Sequence, residues 1–305
     1  MKVLFAIDGS AGSFEALGQV GPLLTPSRDE VTLYCSPPQV KLGASDVSAE
    51  LIPAARNALA DAIFQEAAKH LAPQWQSTAA RIVGTADARR GILAAAEQTH
   101  ADLIVVGARG LNRFERLFLG SVSRAVVHGA RVPVWIARPR PATSPAAHQI
   151  LLCCENSNTA RCPVELLSKL SWPGGTTCCA LTVISSVFAG HIPQWLEQQA
   201  RSPDVDEMVR HWVREHEADV RNNFTELRNC LKDFPGEFSH ARPLVVEGEP
   251  VEQILAEIGR QHADLVVIGA RHGRSTAATI FGSTSEAVLN HAGCSVLVVP
   301  HPETP

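Results

Sequence analysis

The sequence predicts an α/β fold made of two tandem doubly wound parallel-sheet domains. Apolar strand patterns alternate with amphipathic helical patterns along the whole chain, and the short connections between them favour parallel sheets. In addition, residues 101–137 recur 162 residues later as residues 263–299. Each copy reads as a buried strand, a glycine-containing loop, a helix and a second buried strand. The chain is therefore predicted to hold the same domain twice.

The strand that opens each repeat is apolar throughout, as expected for a strand buried on both faces of a parallel sheet. It ends at a glycine, and a second glycine followed by serine opens the helix. The three positions that coincide in the two copies are Gly107, Gly120 and Ser121 in the first, and Gly269, Gly282 and Ser283 in the second.

The composition excludes several classes of protein. A length of 305 residues suffices for two domains, each with its own core. With 45% hydrophobic residues, 19% charged residues and a net charge of −4, the chain lacks the basic excess that nucleic acid binding requires. No apolar run approaches transmembrane length, so no membrane contact is expected.

The first ten residues and the cysteines bear on location. The opening segment MKVLFAIDGS reaches an aspartate at position 8, too early for a signal-peptide core, and is interpreted as the first strand. Eight cysteines without a secretory signal predict reduced thiols and a cytoplasmic protein.

In the first copy, strands and helices alternate regularly. Ser10 or Ser13 is expected to cap the helix that follows the first strand. The predicted strands are residues 2–7, 30–35, 77–83, 103–106 and 132–137. The predicted helices are one carrying Phe14, Leu17, Val20 and Leu23, and residues 48–71, 91–99 and 120–128.

A segment rich in proline and small residues, RPRPATSPAAH, separates the copies. The domains are accordingly assigned to residues 1–140 and 149–305, with residues 141–148 as the linker. The second copy differs mainly in a helical region at 187–231 that makes it 15 residues longer. Its other predicted elements are strands at 150–154, 176–184, 244–247 and 294–299 and a helix at 251–260.

The glycine loop of the first copy suits anion binding. Its spacing is Gly107-x2-Gly110-x9-Gly120-Ser121. Gly110 permits positive φ or close backbone approach, and the helix opening at Gly120 offers free N–H groups and a positive dipole end. The spacing is neither a P-loop nor a dinucleotide fingerprint. The alternative interpretation is structural: the glycines end a strand, and Ser121 caps a helix.

This loop, present in both halves and preceded by the strand–Asp8 turn, resembles the nucleotide-binding signature of the universal stress protein family. The whole chain is similar to a tandem member of that family. The resemblance implies an ATP site in which the acidic residue after the first strand contacts the nucleoside and backbone groups at the end of the second strand contact adenine. Mg²⁺ or Mn²⁺ would bridge the phosphates, although no carboxylate cluster in the sequence dictates it.

The site residues that the resemblance implies fall on both copies. For Asp8, a helix cap is the competing interpretation. In the first copy the residues are Ala6, Asp8, Ser36, Gly107, Arg109, Gly110, Arg113, Gly120, Ser121, Val122 and Ser123. In the second copy they are Val183, Gly269, Gly273, Gly282, Ser283, Thr284 and Ser285.

The second copy departs from this pattern twice. His272 stands where the second glycine should be, with Gly273 displaced by one residue, and Glu155 replaces Asp8. A histidine at a positive-φ position is disfavoured, and the longer glutamate displaces the carboxylate. The first copy is therefore predicted to bind nucleotide more tightly.

Other conspicuous residues favour structural roles. The adjacent pairs Cys153-Cys154 and Cys178-Cys179 lie on predicted strands without C-x-x-C spacing, so core packing is preferred over redox or metal chemistry. His100 and His262 end equivalent helices, where C-terminal capping explains them. His211 and the nearby His216 lack the spacing of a zinc-binding helix.

Three functions remain open. The preferred one is an ATP-binding, regulatory stress-response protein with weak or no ATP hydrolysis and with protein partners that the sequence does not name. The second is an interaction module of the same fold that binds no nucleotide. An ATP-dependent adenylating enzyme is less favoured, because the sequence lacks that class's phosphate loop and shows no nucleophile–base constellation. No catalytic or metal-ligating residue is assigned.

Each copy ends in an apolar strand that would leave an unpaired sheet edge. By resemblance to the family, these two strands are expected to pair with each other, which makes the chain an internal pseudo-dimer. The extra helical region at 187–231 offers a surface for a homodimer of two chains.

Overall fold

A computed structural model describes residues 1–37, 51–84, 87–108, 119–140, 146–184, 203–232, 234, 236–272, 279–280 and 282–301. Four of the predicted site residues, Arg109, Gly110, Arg113 and Gly273, lie outside these ranges.

The first half contains five strands, and all except the third are largely apolar and buried. All five residues of the fourth strand are buried, as the continuous apolar run predicts. The strands are β1 (Lys2–Ile7), β2 (Glu30–Cys35), β3 (Ala80–Val83), β4 (Leu103–Gly107) and β5 (Val134–Ala137). The helices are α1 (Ala11–Val20), α2 (Leu51–His70), α3 (Pro73–Gln76), α4 (Ala88–Thr99) and α5 (Ser121–Gly129).

The second half repeats this strand order with one additional short strand, and most of its strands are longer. Its strands are β6 (Gln149–Cys153), β7 (Thr177–Ile184), β8 (Arg242–Glu247), β9 (Leu265–His272), β10 (Thr279–Ile280) and β11 (Ser295–His301). Its helices are α6 (Ser157–Leu167), α7 (Pro203–Lys232), α8 (Pro250–Arg260) and α9 (Ser283–His291). Among the described helices, none is long and apolar enough to cross a bilayer.

One continuous sheet runs through both halves in the order β3-β2-β1-β4-β5-β11-β9-β6-β7-β8. Within each half these strands are parallel, and the two halves meet where β5 pairs antiparallel with β11 through Trp135 and Leu297. The prediction that the terminal strands pair is therefore confirmed. The chain is an internal pseudo-dimer.

Helices cover both faces of the sheet, which confirms the doubly wound architecture. On one face α1, α2, α6 and α7 bury residues such as Leu17, Phe64 and Leu227. On the other face α4, α5, α8 and α9 bury residues such as Ile92, Val126 and Leu289. The sheet strands supply alternate side chains to both layers.

Polar contacts reinforce the junction between the halves. The Arg140 guanidinium forms a bidentate pair with Asp264, with both N–O distances 2.9 Å. The backbone N–H of Arg140 also donates to Glu15 Oε1, in the first half, at 2.8 Å. Beside this pair, the Trp172 ring stacks on Trp135 and contacts His148 edge-on. The segment that follows β5 thus does more than connect the domains, because Arg140 fastens both halves together.

Several elements differ from the sequence prediction; for example, β3 begins at Ala80 instead of residue 77 and α4 begins at Ala88 instead of residue 91. The strand of the second repeat was expected to end at Gly269, but β9 continues to His272 and pairs antiparallel with β10. That expectation was wrong. The short helix α3 occupies residues assigned to no element, and α6 was not predicted because Pro163 interrupts its pattern.

Candidate functional site

The strand order places the candidate site at the topological switch point of the first half. From β1 the chain runs through α1 to the neighbouring β2, and it returns from β3 through α4 to β4 on the other side of β1, so the strand order reverses between β1 and β4. Asp8 follows β1, and Ser36 follows β2. Gly107 ends β4. The structure therefore brings these three predicted positions to one edge, on adjacent strands.

Asp8 shapes the turn between β1 and α1. Its Oδ1 accepts hydrogen bonds from the Ser10 amide at 3.0 Å and from the Ser10 hydroxyl at 2.5 Å. The cap of α1 is Ser10, whose hydroxyl oxygen accepts from the Ser13 amide. Gly9 adopts φ 84°, which lets the chain turn between them. Asp8 therefore holds Ser10 in place, and Ser10, not Asp8, is the N-cap of α1.

Packing alone requires a glycine at position 107. A Cβ at this position would lie 2.7 Å from the Gly12 carbonyl carbon and 2.8 Å from its oxygen. The start of α1 therefore presses directly against the end of β4. Only glycine allows the first turn of α1 to approach the switch point this closely.

Two hydrogen bonds hold the start of α5 next to the end of β4. The Gly120 N–H donates to the Ala108 carbonyl at 2.9 Å, and the Ser123 hydroxyl donates to the Gly107 carbonyl at 2.7 Å. Ser123 is buried, and its single hydroxyl proton is used by this bond. Ser123 thus acts here as a clasp, which leaves the exposed Ser121 as the hydroxyl donor of this turn.

The N-terminus of α5 begins at a glycine. Gly120 occupies the N-cap with φ −60° and ψ 150°, and no described side chain caps the helix. The first amides of a helix lack intrahelical partners, and they carry the positive end of the dipole. The Val122 side chain packs against the core. Ala6 lies within β1, paired with Tyr34 and Val106.

The corresponding turn of the second half is one residue shorter. Val3 and Ile150 hold equivalent places opposite Leu103 and Leu265. From there the capping side chain comes seven residues later in the first half, at Ser10, but only six later in the second, at Asn156, whose Oδ1 accepts from the Thr159 amide.

Because its turn is shorter, the second half lacks the backbone conformation found around Asp8 in the first. The positive-φ step at Gly9 has no counterpart in the second turn among the described residues. Glu155 is exposed, and the Thr159 hydroxyl accepts from its backbone amide at 3.0 Å. The replacement of Asp8 by Glu155 is thus accompanied by a different backbone.

The strands of the second half also extend farther at the carboxyl edge. β2 ends at Cys35, whereas β7 continues two residues past the equivalent Thr182. Val183, expected near adenine, lies inside this extension and pairs with Val246 of β8. The backbone of Val183, which was predicted to contact adenine, therefore belongs to a residue paired with the neighbouring strand.

The helix start of the second half keeps the arrangement of the first. The Ser285 hydroxyl donates to the Gly269 carbonyl at 2.8 Å, as Ser123 does to Gly107. Gly282 is the N-cap of α9 with φ −67°, and no side chain in the described part of the chain caps it. Ser283 and Thr284 form its first turn. In the described parts of the chain, the two halves therefore differ in the turn after the first strand and in the strand ends, but not in the start of the helix.

Comparisons with known proteins agree with this architecture. The family model described as "Universal stress protein family" matches residues 1–138 and 184–300. The chain belongs to this family. A universal stress protein from Archaeoglobus fulgidus DSM 4304 is similar in structure, with a TM-score of 0.61, 20% identity and 98% coverage of both chains. A putative universal stress protein from Pseudomonas aeruginosa UCBPP-PA14 gives a TM-score of 0.54 at 17% identity, covering 98% of this chain and 92% of that one. At such identities the likeness concerns the fold.

The cysteines of this universal stress protein are packing residues. All eight are free thiols, and none is classed as exposed. Cys154 and Cys178 face one helical layer, while Cys153 and Cys179 face the other, as strand alternation predicts. Burial raises the pKa of Cys35 to about 12 and that of Cys154 to about 11. These groups therefore stay protonated at neutral pH and are poor nucleophiles.

The two equivalent histidines end their helices in the left-handed conformation. His100 has φ 51° and His262 has φ 48°. The His100 amide donates to carbonyls of the last turn of α4, which confirms the capping role. In the described ranges, no three His, Cys, Asp or Glu side chains form a group that could hold a metal ion.

Proposed function

We propose that this protein is a regulatory, stress-response member of its family that binds one ATP per chain in the first half. The observation that carries the proposal is the reversal of strand order between β1 and β4, which places the Asp8 turn next to the start of α5, where no described side chain caps the helix. Open α/β sheets bind ligands at this place.

Each group at the edge has a chemical use for a nucleotide. The amides of Ser121 and Val122 and the Ser121 hydroxyl are donors for phosphate oxygens. Asp8 Oδ1 is already engaged by Ser10, so its second oxygen is the acceptor available to a ribose hydroxyl. Backbone groups at Ser36 are the proposed contact for adenine. Arg109, Gly110 and Arg113 complete the proposed site from outside the described residues.

We propose that ATP hydrolysis is slow or absent. The site would hold ATP and report its presence to protein partners. The hydrogen bonds of Asp8 and Ser123 support this proposal, since both side chains are used to fix backbone geometry. Mg²⁺ or Mn²⁺ is proposed to accompany the phosphates. A cytoplasmic location is part of the same proposal.

The second half is proposed to bind ATP weakly or not at all. Its shortened turn and the extension of β7 both alter the edge at which the nucleotide would lie. These features support the interaction-module alternative for this half alone.

Calorimetric titration of ATP with Mg²⁺ tests the proposal on the full chain. We expect a stoichiometry of one, abolished by Gly120→Val and retained by the matched Gly282→Val. A Cβ at Gly282 meets nothing within 4 Å, so this control should fold normally. Failure of the wild type to bind ATP would overturn the proposal. If Gly282→Val proves the damaging change, the assignment of the halves is reversed.

A further inference from the structure

The second half reaches across the pseudo-two-fold axis to the phosphate-site helix of the first half. The segment that follows Gly269 folds back as the antiparallel pair β9–β10, with Thr279 opposite His272 and Ile280 opposite Arg271. β10 lies against α5. The loop that was predicted to bind phosphate in its own half thus supplies a strand that rests on the other half.

Side chains of α9 hold α5 as well. The Arg124 guanidinium donates to Asn290 Oδ1 at 2.7 Å and lies 3.7 Å from Glu286 Oε1. His128 Nε2 lies 3.1 Å from Glu286 Oε2. The Asn290 amide in turn donates to Glu286 Oε1 at 3.2 Å, which fixes the carboxylate between the two helices.

These contacts join residues at equivalent places in the repeat. Arg124 corresponds to Glu286, and His128 corresponds to Asn290. Two identical first halves paired in the same way would bring Arg124 and His128 of one against those of the other. The tandem chain places an acid and an amide there instead, so the outer face of α5 is complementary to α9.

The position of α5 matters because its first amides must point at the phosphates. α5 spans only nine residues, and Val126 and Val127 fix its inner face in the core. Its outer face is fixed by β10, Glu286 and Asn290, all from the second half. Hydrogen-bond donors lose most of their effect when their position is uncertain by about 1 Å.

We infer that the second half is a brace for the phosphate-binding helix of the first half, so that ATP affinity depends on contacts made by β10 and α9. The inference rests on the function proposed above. By thermodynamic reciprocity, ATP bound at α5 stabilises the β9–β10 pair and α9 to the same extent. Occupancy of the first half is thereby communicated to a surface of the second.

The test measures ATP affinity in four full-length proteins. Glu286→Arg places a like charge against Arg124 and removes the carboxylate that faces His128. The double variant Arg124→Glu/Glu286→Arg restores opposite charges between α5 and α9. Arg242→Ala is the control, because it removes a second-half contact, to Gln261 at 2.8 Å, that does not involve α5. Thermal unfolding of each variant establishes that it is folded.

We expect Glu286→Arg to raise the Kd for ATP about tenfold, within the usual range of coupling between sites. The double variant should recover most of this loss, and Arg242→Ala should match the wild type. Hydrogen exchange of the wild type should show ATP-dependent protection at 269–272 and 279–280 in addition to α5.

The outcomes separate this inference from the proposed function. If the wild type binds no ATP, the proposed function fails, and the inference fails with it because there is no ATP affinity for β10 and α9 to influence. If the wild type binds ATP but Glu286→Arg has the same Kd and the hairpin gains no protection, the brace alone is refuted. A loss in Glu286→Arg that the double variant does not recover also refutes it, because the effect is then not due to the charge pairing.

Discussion

The two halves of the chain agree at one end of the sheet and diverge at the other. At the amino ends of the strands, Asp102 accepts from the Lys2 amide and Asp264 accepts from the Gln149 amide, at 2.7 and 2.9 Å. At the carboxyl ends the turns differ in length, and β7 and β9 run two and three residues farther than β2 and β4. The amino end, which the two halves share, specifies the fold, because it fixes strand register and helix placement. The divergent end is where ligands of open α/β sheets bind.

The largest expected difference concerns Gly107 at the carboxyl end of β4. Gly107→Ala forces a methyl group against the Gly12 backbone, which cannot move without shifting α1. We expect the free energy of unfolding to fall by about 3 kcal/mol. Gly259→Ala is the control, because its Cβ would meet nothing and alanine favours the helix α8. Chemical denaturation that finds equal stability in the two variants would contradict the proposed close approach.

A second comparison uses the equivalent aspartates. Asp264→Asn breaks the bidentate pair with Arg140 between side chains that are 15% and 19% exposed, so the cost should be about 2 kcal/mol. Asp102→Asn weakens a single bond to a backbone amide at an exposed place and should cost less than about 1 kcal/mol. Denaturant titration measures both. A larger loss at Asp102 would mean that Arg140 contributes little to joining the halves.

The smallest expected effect is a pH dependence at His148. Burial, and then the Arg140 charge, lower the pKa of His148 below its ordinary value of 6.5, while Asp264 opposes this shift. The unfolded chain therefore takes up a proton at a higher pH than the folded chain. Stability is full above about pH 6.5 and declines as the pH falls from there toward the lowered pKa.

His148→Gln should flatten the thermal stability profile in this window, and His211→Gln on α7 should leave it unchanged. Identical profiles for the wild type and His148→Gln would show that the junction between the halves does not respond to this proton.

The parts of the fold that the sequence predicted are those with local causes. β1 and β2 match their predicted bounds because each is an apolar run closed by Asp8-Gly9 or by Pro37. The internal pairing of β5 with β11 was also predicted, from the family resemblance and the need to cover an edge. Domain boundaries at 140 and 149 remain a prediction.

Other features depend on distant contacts and were missed. The extension of β9 past Gly269 requires β10 and the neighbouring β11, and its sequence reads as a polar loop. The one-residue shortening before α6 does not appear in an alignment by offset, because Glu155 still falls opposite Asp8. The clasp role of Ser123 required the position of a carbonyl sixteen residues away.

The antiparallel junction of β5 and β11 has a consequence for how this molecule can change over time. In a pair of identical chains every substitution occurs twice, on both sides of the axis, and any favourable asymmetry is cancelled. A covalent tandem keeps its halves together at a high effective concentration while each half changes separately. Arg124 opposite Glu286, and β10 packed against α5, are arrangements open only to such a chain. The fusion therefore allows the two halves to change independently while they remain paired.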